Sequence, residues 1–102
     1  MKTYEVRISN SAYSDMKALQ AFLDGMLSLD AAVRYANLMR MEIKMLSLFA
    51  DCYKRTSSKT LLIIHPEARR MVSHNRKWIY VYHIEEQFVI VDRILPAKMN
   101  KG

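Results

Sequence analysis

The sequence contains few of the residues that cross-link, bend or interrupt a chain. Its 102 residues include one cysteine, two glycines, two prolines and three histidines. A single cysteine, Cys52, excludes an internal disulfide framework and is typical of a reducing compartment. We interpret it as a partly buried structural thiol. Because the histidines and the cysteine are scattered without the spacing of metal ligands, we expect no metal and no cofactor.

The sequence also lacks a long hydrophobic run. No apolar stretch approaches the roughly 18 residues that are needed to cross a bilayer. The N-terminal segment MKTYEVRIS alternates like a strand and has no signal-peptide core. We therefore expect no segment that spans a membrane. A chain of this size is expected to form a single domain over residues 1–102, with its core at 3–95 and a basic tail at 96–102.

Positive charge is concentrated in the second half of the chain. Residues 1–52 carry six basic and six acidic side chains, whereas residues 53–102 carry ten basic and four acidic ones. The second half therefore holds the whole net charge of +6. This distribution indicates an anionic partner for the basic half. Nucleic acid, an acidic protein segment and a membrane surface all fit, and the charge alone does not distinguish among them.

Two apolar runs, at residues 78–84 and 88–95, dominate the second half. Both are rich in β-branched and aromatic residues and are separated by a polar EEQ segment, which predicts an antiparallel hairpin. Because no Asn-Gly or Asp-Gly pair marks a tight turn, we expect a four-residue loop or a bulge. Apolar groups on both faces indicate strands that are covered on both sides, one of them by helices of this chain. Alternation divides the first strand into two faces, with Trp78, Tyr80 and Tyr82 on one and Ile79, Val81 and His83 on the other.

The first half predicts a strand followed by two helices. Residues 3–9 alternate like a strand, and residues 12–27 repeat apolar side chains at helical spacing. A second amphipathic helix follows after about three residues, so the helices should form an antiparallel hairpin. The residues placed to cap or begin these helices are Asn10, Ser11 and Asp15 for the first and Ser28 or Asp30 for the second.

The remaining segments complete an α+β fold. Residues 53–60 are polar and basic and predict a loop. Residues 61–64 form a short apolar run, a candidate extra strand, and residues 67–73 are expected to form a strand before the hairpin. We predict the order β-α-α-β-β-β, with one further short strand as an option. In this arrangement a helical hairpin packs on one face of a small, mainly antiparallel sheet. The eight methionines are interpreted as core filling.

Three segments resemble the RelE/ParE superfamily of type II toxins. The second helix opens with SLDAAVRYANLMRMEIKML, which is similar to the family's Ala-rich, Tyr-containing helix. RRMVSHNRKWIYVYHI resembles the family's basic strand, turn and aromatic-x-x-x-Tyr strand, and EEQFVIVDRIL resembles its closing strand. The resemblance covers residues 3–95, nearly the whole chain.

The resemblance implies a cytoplasmic toxin that is neutralised by a cognate antitoxin, whose C-terminal segment lies over the sheet and helices. Val72, Ile79 and Val81 would then line a groove that receives apolar side chains of the antitoxin. The basic second half would suit an acidic antitoxin segment. A homodimer that covers the same surface is the alternative.

The superfamily contains ribosome-dependent messenger-RNA endonucleases, the RelE branch, and inhibitors of DNA gyrase, the ParE branch. Arg70 matches the first of two basic positions on the RelE-type strand, but Val72 stands at the second. Ile79 stands where a strand arginine is expected, and Met99 lies near the position of a later arginine. Since most of the RelE-type site is absent, the resemblance favours the ParE branch, whose members act by binding.

The leading hypothesis is a toxin that blocks DNA gyrase or another essential nucleic-acid machine. The alternative is a ribosome-dependent RNase with a rearranged site, in which Arg70, His74 and His83 supply a cation and a general base. In the competing interpretation, His83 is an ordinary polar strand residue. A third hypothesis is direct stacking of nucleic-acid bases on Trp78 and its neighbouring tyrosines. The residues expected to bind the target are Arg69, Arg70, Arg76, Lys77, Arg93, Lys98 and Lys101.

Overall fold

The computed structural model describes residues 2–26 and 28–97, which form a helical hairpin on a four-stranded sheet. The elements in chain order are β1 (Glu5–Ile8), α1 (Asn10–Met26), α2 (Leu29–Phe49), a 3-10 turn (Ala50–Cys52), α3 (Lys59–Leu62), β2 (Arg69–Val72), β3 (Trp78–Glu85) and β4 (Phe88–Pro96). The strand order is β1-β4-β3-β2, with β1 parallel to β4 and the other neighbours antiparallel. The predicted α+β architecture is confirmed. Within the described ranges, neither long helix is apolar enough to cross a membrane.

Ser9 connects the first strand to the first helix. Its Oγ accepts a helix N–H at 3.0 Å, and its hydroxyl donates to the Asp92 carbonyl at 2.9 Å. Ser9, rather than the predicted Asn10 or Ser11, is therefore the residue that caps α1. The cap of α2 is Ser28, one of the two residues predicted for it.

The turn between β3 and β4 is tighter than the sequence predicted. The strands pair as far as Glu85 and Phe88, which leaves two residues, Glu86 and Gln87, in the turn. Glu86 takes a left-handed backbone with φ 56°, a conformation that costs a non-glycine residue roughly 1 kcal/mol. Pairing along the whole hairpin offsets this cost, so the turn forms without the usual glycine.

A bulge lies within the strands rather than in the turn. Val81 pairs with Arg93 and Tyr82 pairs with Val91, so Asp92 is an extra residue on β4. A bulge redirects the side chain of the extra residue. Here it directs the carboxylate of Asp92 toward β3.

One face of the sheet packs on the helices, as predicted. Trp78, Tyr80 and Tyr82 are no more than 1% exposed and lie in one cluster with Met39 and Leu46 of α2. The base-stacking hypothesis is therefore wrong, because the three rings that would receive bases are enclosed by the chain's own helices.

The opposite face is covered at its centre by residues 59–66. The apolar run that was a candidate strand forms the single helical turn α3, because the Ser58 hydroxyl accepts the Leu61 N–H and starts a helix. Leu61 is fully buried, and Ile64, three residues later, packs in the same cluster. Ile63 between them is 86% exposed.

This cover corrects the expected antitoxin groove. Ile79 and Val81 are 1% and 0% exposed and pack against Leu61 and Ala68. Only Val72, 44% exposed at the end of the edge strand, is open to a partner. The sequence shows apolar side chains on both faces of β3. The second face is buried by residues 61–64, for which the sequence pattern also allowed a strand of the sheet.

Candidate functional site

A basic turn at residues 73–77 follows β2, and a buried carboxylate fastens it to α2. Glu42, 7% exposed, accepts the His74 backbone N–H at 2.6 Å and the Tyr80 hydroxyl at 2.7 Å. The Trp78 indole N–H donates to the same hydroxyl at 2.6 Å. Because a buried carboxylate without donors is costly, these bonds explain the single charged residue on the buried face of α2.

Burial also affects the two central tyrosines of β3. Removal from water raises the pKa of Tyr80 far above its ordinary value of 10.0, and the hydrogen bond with Glu42 raises it further. Burial likewise raises the pKa of Tyr82, whose hydroxyl donates to the Ala50 carbonyl at 2.7 Å. Both phenols therefore remain neutral hydrogen-bond donors in the folded chain.

Ser73 and Asn75 fix the shape of the basic turn. Ser73 Oγ accepts two backbone N–H groups at 3.2 Å, and its hydroxyl donates to Asn75 Oδ1 at 2.7 Å. Arg76 takes a left-handed backbone with φ 62°. The Arg76 and Lys77 side chains are exposed, and Lys77 Nζ lies 5.7 Å from the Tyr35 ring centroid. The turn thus presents two cations on a hydrogen-bonded frame.

The three residues of the hypothetical RNase site do not converge. Arg70 lies opposite Val81 near the middle of β3. His74 lies in the turn beyond the end of β2, level with Trp78, because the strand ends at Val72. His83 lies about five residues further along β3, roughly 16 Å away at the usual rise of a strand. This separation prevents His74 and His83 from acting on one reacting group, whereas Arg70, opposite Val81, lies within about two residues of the level of His83.

His83 is enclosed in a second polar cluster. Its side chain is 8% exposed, and Nδ1 lies 2.7 Å from the Asp92 carboxylate, the extra residue of the bulge. The His65 ring stacks on it, with centroids 3.6 Å apart and planes within 3°. The Glu67 N–H donates to His65 Nδ1 at 3.0 Å. This setting favours the interpretation of His83 as a structural strand residue, and the His65–His83 stack attaches the α3 segment to the sheet.

Arg93 is part of an ion pair that fixes α1 on β4. Its Nε and Nη2 donate to the two oxygens of Asp15 at 2.7 Å and 3.0 Å, and Asp15 also accepts the Ile94 N–H at 2.9 Å. The hydrogen bond with Asp15 raises the pKa of Arg93. Asp15 was expected to stabilise the first turn of α1, but it lies beyond that turn and contacts the sheet instead. Arg93 is therefore engaged within the fold.

The other predicted target-binding residues differ in their availability. Arg69 Nη1 donates to the Tyr53 carbonyl at 2.7 Å, which connects β2 to the loop after α2. Arg70 forms no side-chain hydrogen bond or ion pair within residues 2–26 and 28–97. Lys98 and Lys101 lie outside the described residues. Among the predicted target-binding residues that the structure describes, Arg70 and the two cations of the basic turn remain available for a target.

An apolar surface on α2 was missed by the sequence analysis. Four exposed residues at helical spacing form it, and we call it the helix surface: Met41, Met45, Leu48 and Phe49, which are 61, 43, 46 and 42% exposed. Beside Met41, a mostly apolar cleft lies between β1, α1 and α2, with Arg40 and Lys44 in its lining. Of the six methionines in the described part of the chain, Met39 and Met71 are buried and Met16 packs against the core, so core filling explains half of them. The signal available in the sequence was the run of methionines off the buried stripe.

Metal chemistry has no candidate site among residues 2–26 and 28–97. No group of three or more His, Cys, Asp or Glu side chains is placed there to hold an ion. Cys52 is exposed rather than partly buried, because it ends the 3-10 turn that leaves α2.

The chain was compared with known families, curated proteins and solved structures. No family model matches it, and no curated protein does. Among solved structures, it is similar to a chain of the chromosomal ParDE TA system from P. aeruginosa, with a TM-score of 0.77 and 13% identity. The alignment covers 92% of this chain and 96% of that chain. At this identity the similarity concerns the fold: over nearly its whole length, the protein has the fold of a component of a ParDE toxin–antitoxin system.

Proposed function

We propose that the protein is the toxin of a type II toxin–antitoxin module, of the ParE-like branch of the RelE/ParE superfamily. The observation that carries this proposal is the shared fold over 92% of the chain with a component of a ParDE system. The three sequence segments that resemble the superfamily lie in α2 and in the β2–β3–β4 part of the same fold. In this proposal the protein acts in the cytoplasm.

The proposed target is DNA gyrase, inhibited by binding rather than by covalent chemistry, as the resemblance to the ParE branch implies. The distance between His74 and His83, and the enclosure of His83 by Asp92 and His65, argue against an RNase site. The basic turn, by contrast, holds Arg76 and Lys77 on a fixed frame, which is suited to an acidic or phosphate-rich surface of a nucleic-acid machine.

The antitoxin is proposed to bind the helix surface. Met41 and Met45 lie on it, and the flanking Arg40 and Lys44 line the adjoining cleft. An amphipathic acidic segment would place apolar side chains on the methionines and carboxylates on the two cations. Val72 is a second contact if the segment continues to the sheet edge. A homodimer through the same surface is the competing occupant.

The proposal is tested by expressing the chain without the neighbouring gene that would encode its antitoxin. Growth should stop, plasmids should lose negative supercoiling, and messages should stay intact. Cleaved messages with normal supercoiling would instead establish the ribosome-dependent RNase alternative, and Arg70→Ala and His74→Ala should then abolish cleavage. Continued growth with the folded protein present would overturn the toxin assignment.

A matched pair of variants distinguishes the effect of the basic turn on inhibition from the effect of the net charge of the protein. In the double variant Arg76→Asn with Lys77→Ala, asparagine tolerates the left-handed backbone at position 76. This variant should lose at least about tenfold of the inhibitory potency against gyrase, since one to two charge-mediated contacts are removed. The control, Lys2→Gln with Lys17→Gln, removes the same charge from the other end of the chain and should stay inhibitory. Equal losses in both variants would show that only net charge matters.

A further inference from the structure

A polar cleft lies between strand β2 and the segment that leaves α2. We call it the loop cleft; it is lined by Cys52, Tyr53, Lys54, Arg55, Thr56, Ser57 and Arg70. Its volume is about 340 Å³. Three of the lining side chains are cations and two are aliphatic hydroxyls, and no carboxylate lines it within the described ranges.

The segment that forms the cleft is held in place although it has little regular structure. Arg55 forms an isolated antiparallel bridge with Arg69. The Thr56 N–H donates to the Ala68 carbonyl at 2.8 Å, and Arg69 Nη1 donates to the Tyr53 carbonyl at 2.7 Å. These bonds fasten both ends of the segment to the edge of the sheet. The backbone that carries the lining groups is thus preorganised, which lowers the entropic cost of binding a ligand.

The charges in the cleft are not balanced by the chain. Arg55 is paired with Glu67 at 2.7 Å. Lys54 and Arg70 form no ion pair or side-chain hydrogen bond within residues 2–26 and 28–97. Two unpaired cations lining one cleft create a positive potential that an anion would neutralise.

We infer that the loop cleft binds a phosphate group, from a free nucleotide or from the backbone of a single-stranded nucleic acid. Arg70 supplies a planar fork of donors and Lys54 a flexible point charge, the two cationic partners that phosphates use. Ser57 adds a hydroxyl donor; the Thr56 hydroxyl oxygen accepts the Ser58 N–H at 3.0 Å and keeps its own proton for donation. The oxygens of a phosphate group can accept from both cations and from both hydroxyls. Because Arg70 is also one of the cations proposed for the target, this assignment rests on the proposed function and deepens it by naming the chemical group that the cleft binds.

The test uses the full chain and two probes. Inorganic phosphate is titrated into the isotope-labelled protein while backbone amide signals are recorded, and a fluorescent ten-nucleotide oligo(dT) is titrated by anisotropy at two salt concentrations. Phosphate should shift the signals of residues 53–57 and 70. Saturation by phosphate with no tighter binding of the oligonucleotide indicates a free-nucleotide ligand, and binding of the oligonucleotide at least tenfold tighter indicates a nucleic-acid strand.

Charge-matched variants give the decisive comparison. Lys54→Ala and Arg70→Ala should each weaken binding about tenfold. For the oligonucleotide, the slope of the logarithm of the binding constant against the logarithm of the salt concentration should become less steep by about 0.7 for every phosphate that is no longer neutralised. Lys17→Ala and Arg34→Ala remove the same charges from exposed positions on α1 and α2 and should bind normally. Equal weakening in both pairs would overturn the assignment, as would tighter binding of a poly-glutamate peptide than of the oligonucleotide. Growth arrest is scored separately in the same variants. A cleft that binds no phosphate would therefore not contradict the toxin proposal, which is tested by growth arrest.

Discussion

At the scale of single residues, two carboxylates removed from solvent are matched by partners from other elements, whereas Asn75 Nδ2 of the basic turn is buried without a hydrogen-bond partner among residues 2–26 and 28–97. Glu42 of α2 binds the basic turn and Tyr80 of β3. Asp15 of α1 binds Arg93 of β4. Since each pair joins residues far apart in the sequence, the sequence shows only that a charged residue interrupts an apolar stripe. From the sequence alone, Arg93 is predicted to be a free cation and Tyr80 a core aromatic residue.

The buried tyrosines make the fold sensitive to alkaline pH. Because the folded-state pKa of Tyr82 is raised above 10.0, its contribution to stability is complete below pH 10.0 and is lost as the pH rises above that value. The free energy of unfolding should fall by up to about 1.4 kcal/mol per pH unit for each such tyrosine. Tyr82→Phe should cost about 1 kcal/mol at neutral pH, because the hydrogen bond to Ala50 is removed, and should reduce the alkaline slope.

Urea unfolding between pH 8 and 11 measures this slope. The control is Tyr13→Phe, since Tyr13 is 51% exposed on α1, and this variant should keep the slope of the parent chain. A Tyr82→Phe variant with an unchanged slope would contradict the assignment of the effect to Tyr82.

At the scale of elements, the least predictable part of the molecule is the segment around α3. It is only one helical turn long, yet it covers the middle of the sheet through Leu61 and the His65–His83 stack. The segment is held less extensively than the hairpin β3–β4, so its opening should be the first local unfolding event. Such opening would expose Ile79 and Val81, the residues that the sequence placed in a groove.

Leu61→Ala should release this segment. Removing a fully buried leucine costs about 2–5 kcal/mol, which exceeds what a short covering segment gains from its remaining packing. Hydrogen exchange should then accelerate at residues 59–66, and an apolar dye should bind the uncovered strands. Ile63→Ala is the matched control, because Ile63 lies two residues away and is 86% exposed. Unchanged protection in Leu61→Ala would mean that the histidine stack alone holds the segment.

At the scale of the whole molecule, polar and apolar surfaces are segregated. The helix surface is apolar with two cations beside it, whereas the basic turn and the loop cleft lie at the β2 side of the sheet. A contiguous exposed apolar surface rimmed by charge is typical of a protein interface. This segregation would give the proposed antitoxin and the proposed target separate places to bind.

The variant Met41→Glu with Met45→Glu tests the antitoxin surface. Two carboxylates on the apolar patch should repel an acidic partner and weaken its binding by at least about 100-fold, or about 2.7 kcal/mol. Affinity for the product of the adjacent gene and rescue of growth by coexpression are the measurements. Ile63→Glu, which adds a charge at an exposed apolar site on the other face of the sheet, should leave both unchanged. If rescue persists in the double variant, the antitoxin binds elsewhere.

The sequence by itself determined the order of elements, the two helices, the hairpin and the face of β3 that meets the helices, because helical spacing and strand alternation are local properties of the chain. Tertiary structure alone decided which charged side chains are paired and which residues cover the second face of the sheet. Arg93 and His83 are engaged by Asp15 and Asp92, and Asp92 is the extra residue of a bulge that no local pattern marks. A four-residue apolar run fits a strand or a helical turn equally well, and only the available partners in the folded chain made residues 61–64 a cover for the sheet.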